Sequence, residues 1–238
     1  MNLAARPQDA TSLADLADLN GEAAMLDHRG ALFLPDHRLL VVSDLHLEKG
    51  SALARRGAMV PPYDSAATLA RLATVVEEHR PEIVISLGDS FHDGWGAERM
   101  PDPFRARLLA LMDGRDWFWV AGNHDPEPPA GLPGSTVREI AVGQLVFRHE
   151  PTRGDAAGEV AGHLHPGARI VRRGRSVRRR CFATDGRRLV MPAFCAFTGM
   201  LNLRERVLWE LFEPARLRAH MLGADRVYPI AGAVLRPG

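Results

Sequence analysis

Five short patches in this chain carry the side chains that hold and use divalent metal ions. They are Asp44-Leu45-His46, Gly88-Asp89, Gly122-Asn123-His124-Asp125, a lone His149, and Gly162-His163-Leu164-His165. Aspartate, asparagine and histidine are donors for borderline divalent ions. A pair of such ions about 3.5–4 Å apart generates hydroxide and clamps a phosphoryl group. On an extended segment Asp44 and His46 would point the same way and reach one ion. Asp89 offers two carboxylate oxygens and can bridge both ions. The Asn123 amide oxygen ligates without adding charge. His124 stays free to donate a proton, with Asp125 expected to orient its ring. His163 and His165, at i and i+2, can serve two adjacent ions.

Taken singly, each patch has an ordinary explanation. Aspartates cap turns, and a histidine ending an apolar strand such as Leu145–Phe147 is usually a core residue. His92 and Asp93 lie beside Asp89 without a required task and read as residues supporting the site or lying at the surface, and His28, His37, His79 and His220 read as surface. It is the set in order that points to hydrolysis of a phosphate ester.

A second signal follows directly. Residues 169–180 carry seven arginines around Gly174. The pattern predicts a tight hairpin presenting Arg172, Arg173, Arg175, Arg178, Arg179 and Arg180. Such a row discourages strand-to-strand aggregation, or it grips the phosphates of a nucleic acid.

These residues need a frame. The 238 residues, 46% hydrophobic and 25% charged, fit one large globular domain over 21–238 behind a leader at 1–20. A net charge of +1 argues neither for nor against a polyanionic partner. Lys49 is the only lysine, which reads as a coding bias toward arginine. Cys181 and Cys195 are expected as free thiols in a cytoplasmic protein. Neither a signal peptide nor a membrane-spanning apolar run is read.

A short helix is expected near Thr11–Leu19, then a hairpin of Ala23–Leu26 and Ala31–Leu34. The compact apolar runs Leu39–Ser43, Ile83–Leu87 and Trp117–Ala121 predict buried strands, each ending at a chemical patch. Helices are expected over Asp64–Arg80 and from Asp102 to Met112. Beyond Gly134 come short strand candidates: Thr136–Val142, Leu145–His149, Val160–Gly162, Arg169–Arg173, Ser176–Ala183 and Arg188–Met191. They predict an antiparallel second half. The fold class is α/β, with two sheets packed face to face and helices on the outer faces.

In this order the patches resemble the calcineurin-like metallophosphoesterase superfamily, whose pattern runs D-x-H, G-D, G-N-H-[DE], H, G-H-x-H. The flanking residues 43–51, 88–93, 162–166 and 178–191 are similar to the bacterial ligase-associated, PdeM-type endonuclease group. The resemblance implies a four-layer sandwich of two mixed β-sheets flanked by helices. It implies one ion held by Asp44, His46, Asp89 and His165, and another by Asp89, Asn123, His149 and His163. His124 would be the general acid, steadied by Asp125. The cofactors implied are two divalent ions, manganese foremost, with iron and zinc accepted by the same donors. The implied substrate is DNA, cut by in-line attack of a metal-activated hydroxide, with a DNA ligase and a helicase as associates in repair. Hydrolysis of small phosphodiesters, nucleotides or phosphomonoesters is the alternative. A homodimer is expected from symmetry base rates alone.

Overall fold

A computed structural model describes residues 16–58, 63–127 and 129–238. Its first sheet has seven strands in chain order. These are β1 (Leu16–Leu19), β2 (Glu22–Leu26), β3 (Leu32–Leu34), β4 (Leu39–Val42), β5 (Ile83–Leu87), β6 (Asp116–Val120) and β7 (Ser135–Val137). Strands β1 to β4 pair antiparallel, and β4 to β7 pair parallel.

The second sheet takes the rest of the chain. Its strands are β8 (Glu139–Val142), β9 (Leu145–Arg148), β10 (Glu159–Ala161), β11 (Pro166–Arg172), β12 (Arg175–Thr184) and β13 (Leu189–Val190). Three more complete it: β14 (Leu201–Asn202), β15 (Arg218–Leu222) and β16 (Val227–Ala231). The path runs β14-β11-β12-β13-β10-β9-β8, with β15 on β12 and β16 on β15.

Burial explains the layers. Leu39–Val42 is buried at every residue, the mark of a parallel strand covered on both faces. Leu40 and Val42 pack on one face beneath helices α2 (Asp64–His79), α3 (Gly96–Arg99) and α4 (Asp102–Met112), with Leu69, Leu72 and Leu108 among the contacts, and helix α1 (Lys49–Arg55) lies against α2 and α3. Leu39 and Val41 face the other way, against Phe147, Val160 and Phe182 of the second sheet. Each such fully buried side chain contributes about 1.5–3 kcal/mol. The outer face of the second sheet is covered by residues 203–217, whose only helix among the described residues is α5 (Arg206–Trp209).

Several expectations need correction. The second half is mixed, because β10 runs parallel to β9 and β13, and β11 parallel to β14. The single strand expected over Thr136–Val142 is two, divided at Arg138 and belonging to different sheets. Of the helix expected over Thr11–Leu19, Leu16–Leu19 is strand β1, and residues 11–15 lie outside the described residues. Sheet pairing with β2 overrides the helical propensity of Leu-Ala-Asp-Leu. Helix α1, opening at Lys49, was not foreseen. The fourth layer is largely irregular, where helices were expected.

Of the histidines read as surface, His220 is buried and His79 is half-buried. His79 stacks on Phe33 with ring centroids 4.7 Å apart, and its Nε2 is 3.0 Å from Asp27 Oδ2. His220 sits in β15 opposite Phe182, with its Nδ1 unpartnered. Burial pulls its pKa from 6.5 down to about 4, with Arg218 adding to the effect. The neutral imidazole therefore stabilises the fold fully above about pH 6.5, and this is lost as pH falls toward 4, by roughly 3 kcal/mol. Urea midpoints at pH 7, 5.5 and 4 should fall less steeply in His220→Leu than in the parent. Equal slopes would remove His220 as the cause.

Candidate active site

The parallel strands of the first sheet open at one edge, where ligands bind in sheets of this kind. Strand β4 delivers Asp44 and His46, β5 delivers Asp89, and β6 delivers Asn123 and His124. From the second sheet, β9 ends at His149, and the link from β10 to β11 carries His163 and His165. Side chains up to 121 positions apart thus meet at the seam between the sheets.

They meet as two groups. Ligand atoms of Asp44, His46 and His165 lie within 4.8 Å of one another, and so do those of Asp89, His149 and His163. In the first, His165 Nε2 is 3.2 Å from Asp44 Oδ1 and 3.4 Å from His46 Nε2. In the second, Asn123 Oδ1 is 2.8 Å from His163 Nδ1 and 3.0 Å from His149 Nε2, and those two nitrogens are 3.3 Å apart. The i and i+2 histidines therefore serve separate groups, as expected. Asp89 falls in the second group, with its Oδ1 3.4 Å from His149 Nε2.

The residues fit divalent ions. His46 Nδ1 is buried without a hydrogen-bond partner, Asp44 Oδ1 is buried with only the His165 nitrogen beside it, and paired imidazole nitrogens face each other across each group. Two buried carboxylates also demand positive charge here. Burial opposes ionisation of Asp44, yet His165, His149 and Ser43 together hold its pKa below the usual range. Burial opposes protonation of His149, yet Asp89 and Asp44 push it up to about 9. Burial brings His46 down to about 3 against the pull of both aspartates, leaving the neutral imidazole that ligation requires.

The backbone that aims these groups is unusual. Ten non-glycine residues have positive φ among the described residues, and Asp44, His46, Asp89, His163 and His165 are five of them. Aspartate and histidine enter this region more readily than most residues, but a cluster of five at one site is strain held by its surroundings. It corrects the extended geometry expected for residues 44–46 and 163–165. Glycine answers a related demand. A Cβ on Gly122 would overlap the Asp89 backbone nitrogen, and one on Gly162 would overlap Ser43 Oγ and lie 2.8 Å from Asp44 Oδ2.

His124 is held differently from what was expected. Its backbone N–H donates to Asp89 Oδ1 at 2.9 Å, and its Nδ1 lies 2.9 Å from the His92 carbonyl oxygen. A carbonyl only accepts, so Nδ1 carries a proton and Nε2 is left facing Asp89 Oδ2 at 3.9 Å. The His92 ring stacks on that of His124 with centroids 5.1 Å apart. Asp125 does not orient the ring. Its carboxylate accepts from the Phe91 N–H at 2.9 Å, because the chain turns it beneath the loop that follows Asp89. Burial pushes it up to about 7, with the Phe91 N–H opposing and Asp89 assisting. Ser43, whose Oγ donates to Asp44, was missed as a support, whereas His92, read as a supporting or surface residue, is a support. A hydroxyl beside Asp44 and a histidine three residues after Asp89 were their only sequence signals.

The arginine hairpin forms as expected from β11 and β12. Arg172, Arg173, Arg175 and Arg179 are exposed. Arg178 is exposed and donates to the Met200 carbonyl. Arg180 departs from the row, half-buried with Nη1 donating to the carbonyls of Ala193 and Cys195. It fixes the chain whose Phe194 and Cys195 N–H groups donate to the Ser43 and Asp44 carbonyls. A cleft of about 600 Å³ opens beside His163, lined in part by Leu164, Arg153 and Arg206.

Two other features resolve without function. Asp27, Glu78 and His79 form a third cluster of metal-ligand types, but the Arg29 guanidinium pairs with Asp27 and with Glu78, so an ion-pair network occupies it. Cys181 and Cys195 are buried free thiols. Among the described residues no helix is long and apolar enough to cross a membrane.

Comparison with known proteins agrees with this geometry. The Calcineurin-like phosphoesterase family matches residues 37–182, more than half of the chain. Among solved structures, the Pseudomonas putida nuclease MPE is 27% identical at a TM-score of 0.68, covering 90% of this chain and 98% of that one. The phosphoesterase Yfce from E. coli is 15% identical at a TM-score of 0.41, covering 81% and 98%. No curated protein matches significantly. The chain belongs to the calcineurin-like phosphoesterase family and is a hydrolase of phosphate esters.

Proposed function

We propose that the chain is a phosphodiesterase that uses two divalent ions to cut DNA internally. The carrying observation is the arginine hairpin continuing outward from His165. The seven residues of β11 at about 3.3 Å each put its tip roughly 20 Å beyond the metal-ligand groups. Charges at that distance are of no use to a small ester, and they suit phosphates farther along a polymer. The likeness to the P. putida nuclease supports the same reading.

Asp44, His46 and His165 would hold one ion and Asn123, His149 and His163 the other, with Asp89 shared between them. Bound there, the ions supply a nucleophile at neutral pH and neutralise charge on the phosphoryl group. Manganese is the metal we infer, with iron and zinc suited to the same donors. The protein's own share centres on His124. Its Nδ1 proton is fixed on the His92 carbonyl, so the proton it gives to the leaving oxygen comes from Nε2. Arg172, Arg173, Arg175, Arg178 and Arg179 hold the backbone of the strand on either side. The flanking resemblance supports a role in cytoplasmic DNA repair beside a DNA ligase and a helicase.

Plasmid nicking and hydrolysis of an aryl phosphodiester, each with manganese and with a chelator, test this reading. We expect metal-dependent turnover of both. Turnover of the small ester without any nicking would turn the assignment toward small phosphodiesters or nucleotides.

A further inference from the structure

Residues 195–200 form a loop on the rim of the first ligand group, and Phe197 stands out from it. The loop is pinned on both sides of that ring. The Cys195 N–H donates to the Asp44 carbonyl, the Ala196 N–H to Thr68 Oγ1, and the Leu201 N–H to the His165 carbonyl. Thr198 Oγ1 is 3.5 Å from His165 Nδ1. Adjacent Cα atoms are 3.8 Å apart, so Phe197 lies on the order of 10 Å from His165. Its side chain nevertheless makes no core, being 59% exposed.

A single exposed apolar residue needs no explanation by itself. The position of this one does. The neighbours of Phe197 touch two metal-ligand residues, so the loop cannot carry the ring elsewhere without disturbing them. The lone lysine lies on the same rim. Lys49 opens α1 three residues after His46, and its charge bears on His46, His92 and Cys195. An aromatic face and a cation beside a phosphodiester site are the two parts of a single-strand binding surface.

We propose that Phe197 is a stacking platform for an unpaired nucleobase next to the phosphodiester at the metal centre, with Lys49 holding a neighbouring phosphate. The proposal rests on the nuclease reading and specifies how the strand lies. A paired base has its faces covered by its neighbours in the helix and cannot stack on the ring. Loop order comes from backbone bonds that substitution of Phe197 leaves in place, so the fold should tolerate the change.

The test compares a twelve-residue oligothymidylate with an abasic strand of equal length, using the manganese-loaded full chain. Base stacking on an aromatic residue is worth a factor of about 5–150 in affinity. We expect the ratio of kcat/KM values for the two strands to fall by that factor in Phe197→Ala and to be kept in Phe197→Trp. An unchanged ratio in Phe197→Ala would overturn the platform. If the parent cuts neither strand, the nuclease reading fails on its own. The platform is then decided by fluorescence anisotropy of labelled oligothymidylate with the metal-free chain. Weaker binding by Phe197→Ala, by a similar factor, sustains it, and equal binding removes it.

Discussion

Asp89→Asn is expected to lower kcat on a phosphodiester by about 1000-fold or more, the equivalent of several kcal/mol of lost charge stabilisation. The substitution keeps the shape of the side chain and the oxygen that accepts the His124 N–H. What it removes is one negative charge, 2% exposed, in the second ligand group. Bound metal should fall below two ions per chain. The metal-free variant should unfold earlier than the metal-free parent at neutral pH, since the His149 imidazolium loses the carboxylate 3.4 Å from its Nε2. Full activity in Asp89→Asn would mean that the carboxylate is a structural cap and no ligand.

His124→Ala is expected to lower kcat by about 100- to 10,000-fold while both ions stay bound. The separation of the two effects is the informative part. His124 lies outside both ligand groups, and its side chain is 40% exposed where the ligands beside it are mostly buried. The proposed task is proton delivery from Nε2, which makes the penalty depend on the leaving group. An alkoxide leaving from DNA needs that proton more than an aryl oxide does. The loss should therefore be larger for DNA than for the aryl ester. Equal losses on both, or a drop in bound metal, would make His124 a ligand or a prop and leave the proton donor unassigned.

The convergence of these side chains was legible because buried parallel strands announce themselves. Runs such as Leu39–Val42 and Ile83–Leu87 admit few other readings, and the chemical residues follow each run directly. Their local conformation was not legible. Asp44, His46, Asp89, His163 and His165 adopt positive φ only because surrounding chain holds them there, and no local pattern encodes that. Orientation of His124 failed for a similar reason. Asp125 is adjacent in sequence, but the contact comes from the His92 carbonyl, 32 positions away. Strand polarity in the second sheet was lost because short strands of two to seven residues carry no signal of direction. Phe197 left no trace at all, since a single apolar residue in a loop has no periodicity.

Everything in the mechanism requires that the two ligand groups hold two ions. Anomalous diffraction from manganese-soaked crystals measures this directly, by counting ions and showing the atoms around each. The account predicts two peaks, one among Asp44, His46 and His165, the other among Asn123, His149 and His163, with Asp89 reaching both. A single peak, or ions that avoid these side chains in a catalytically active crystal, would contradict it.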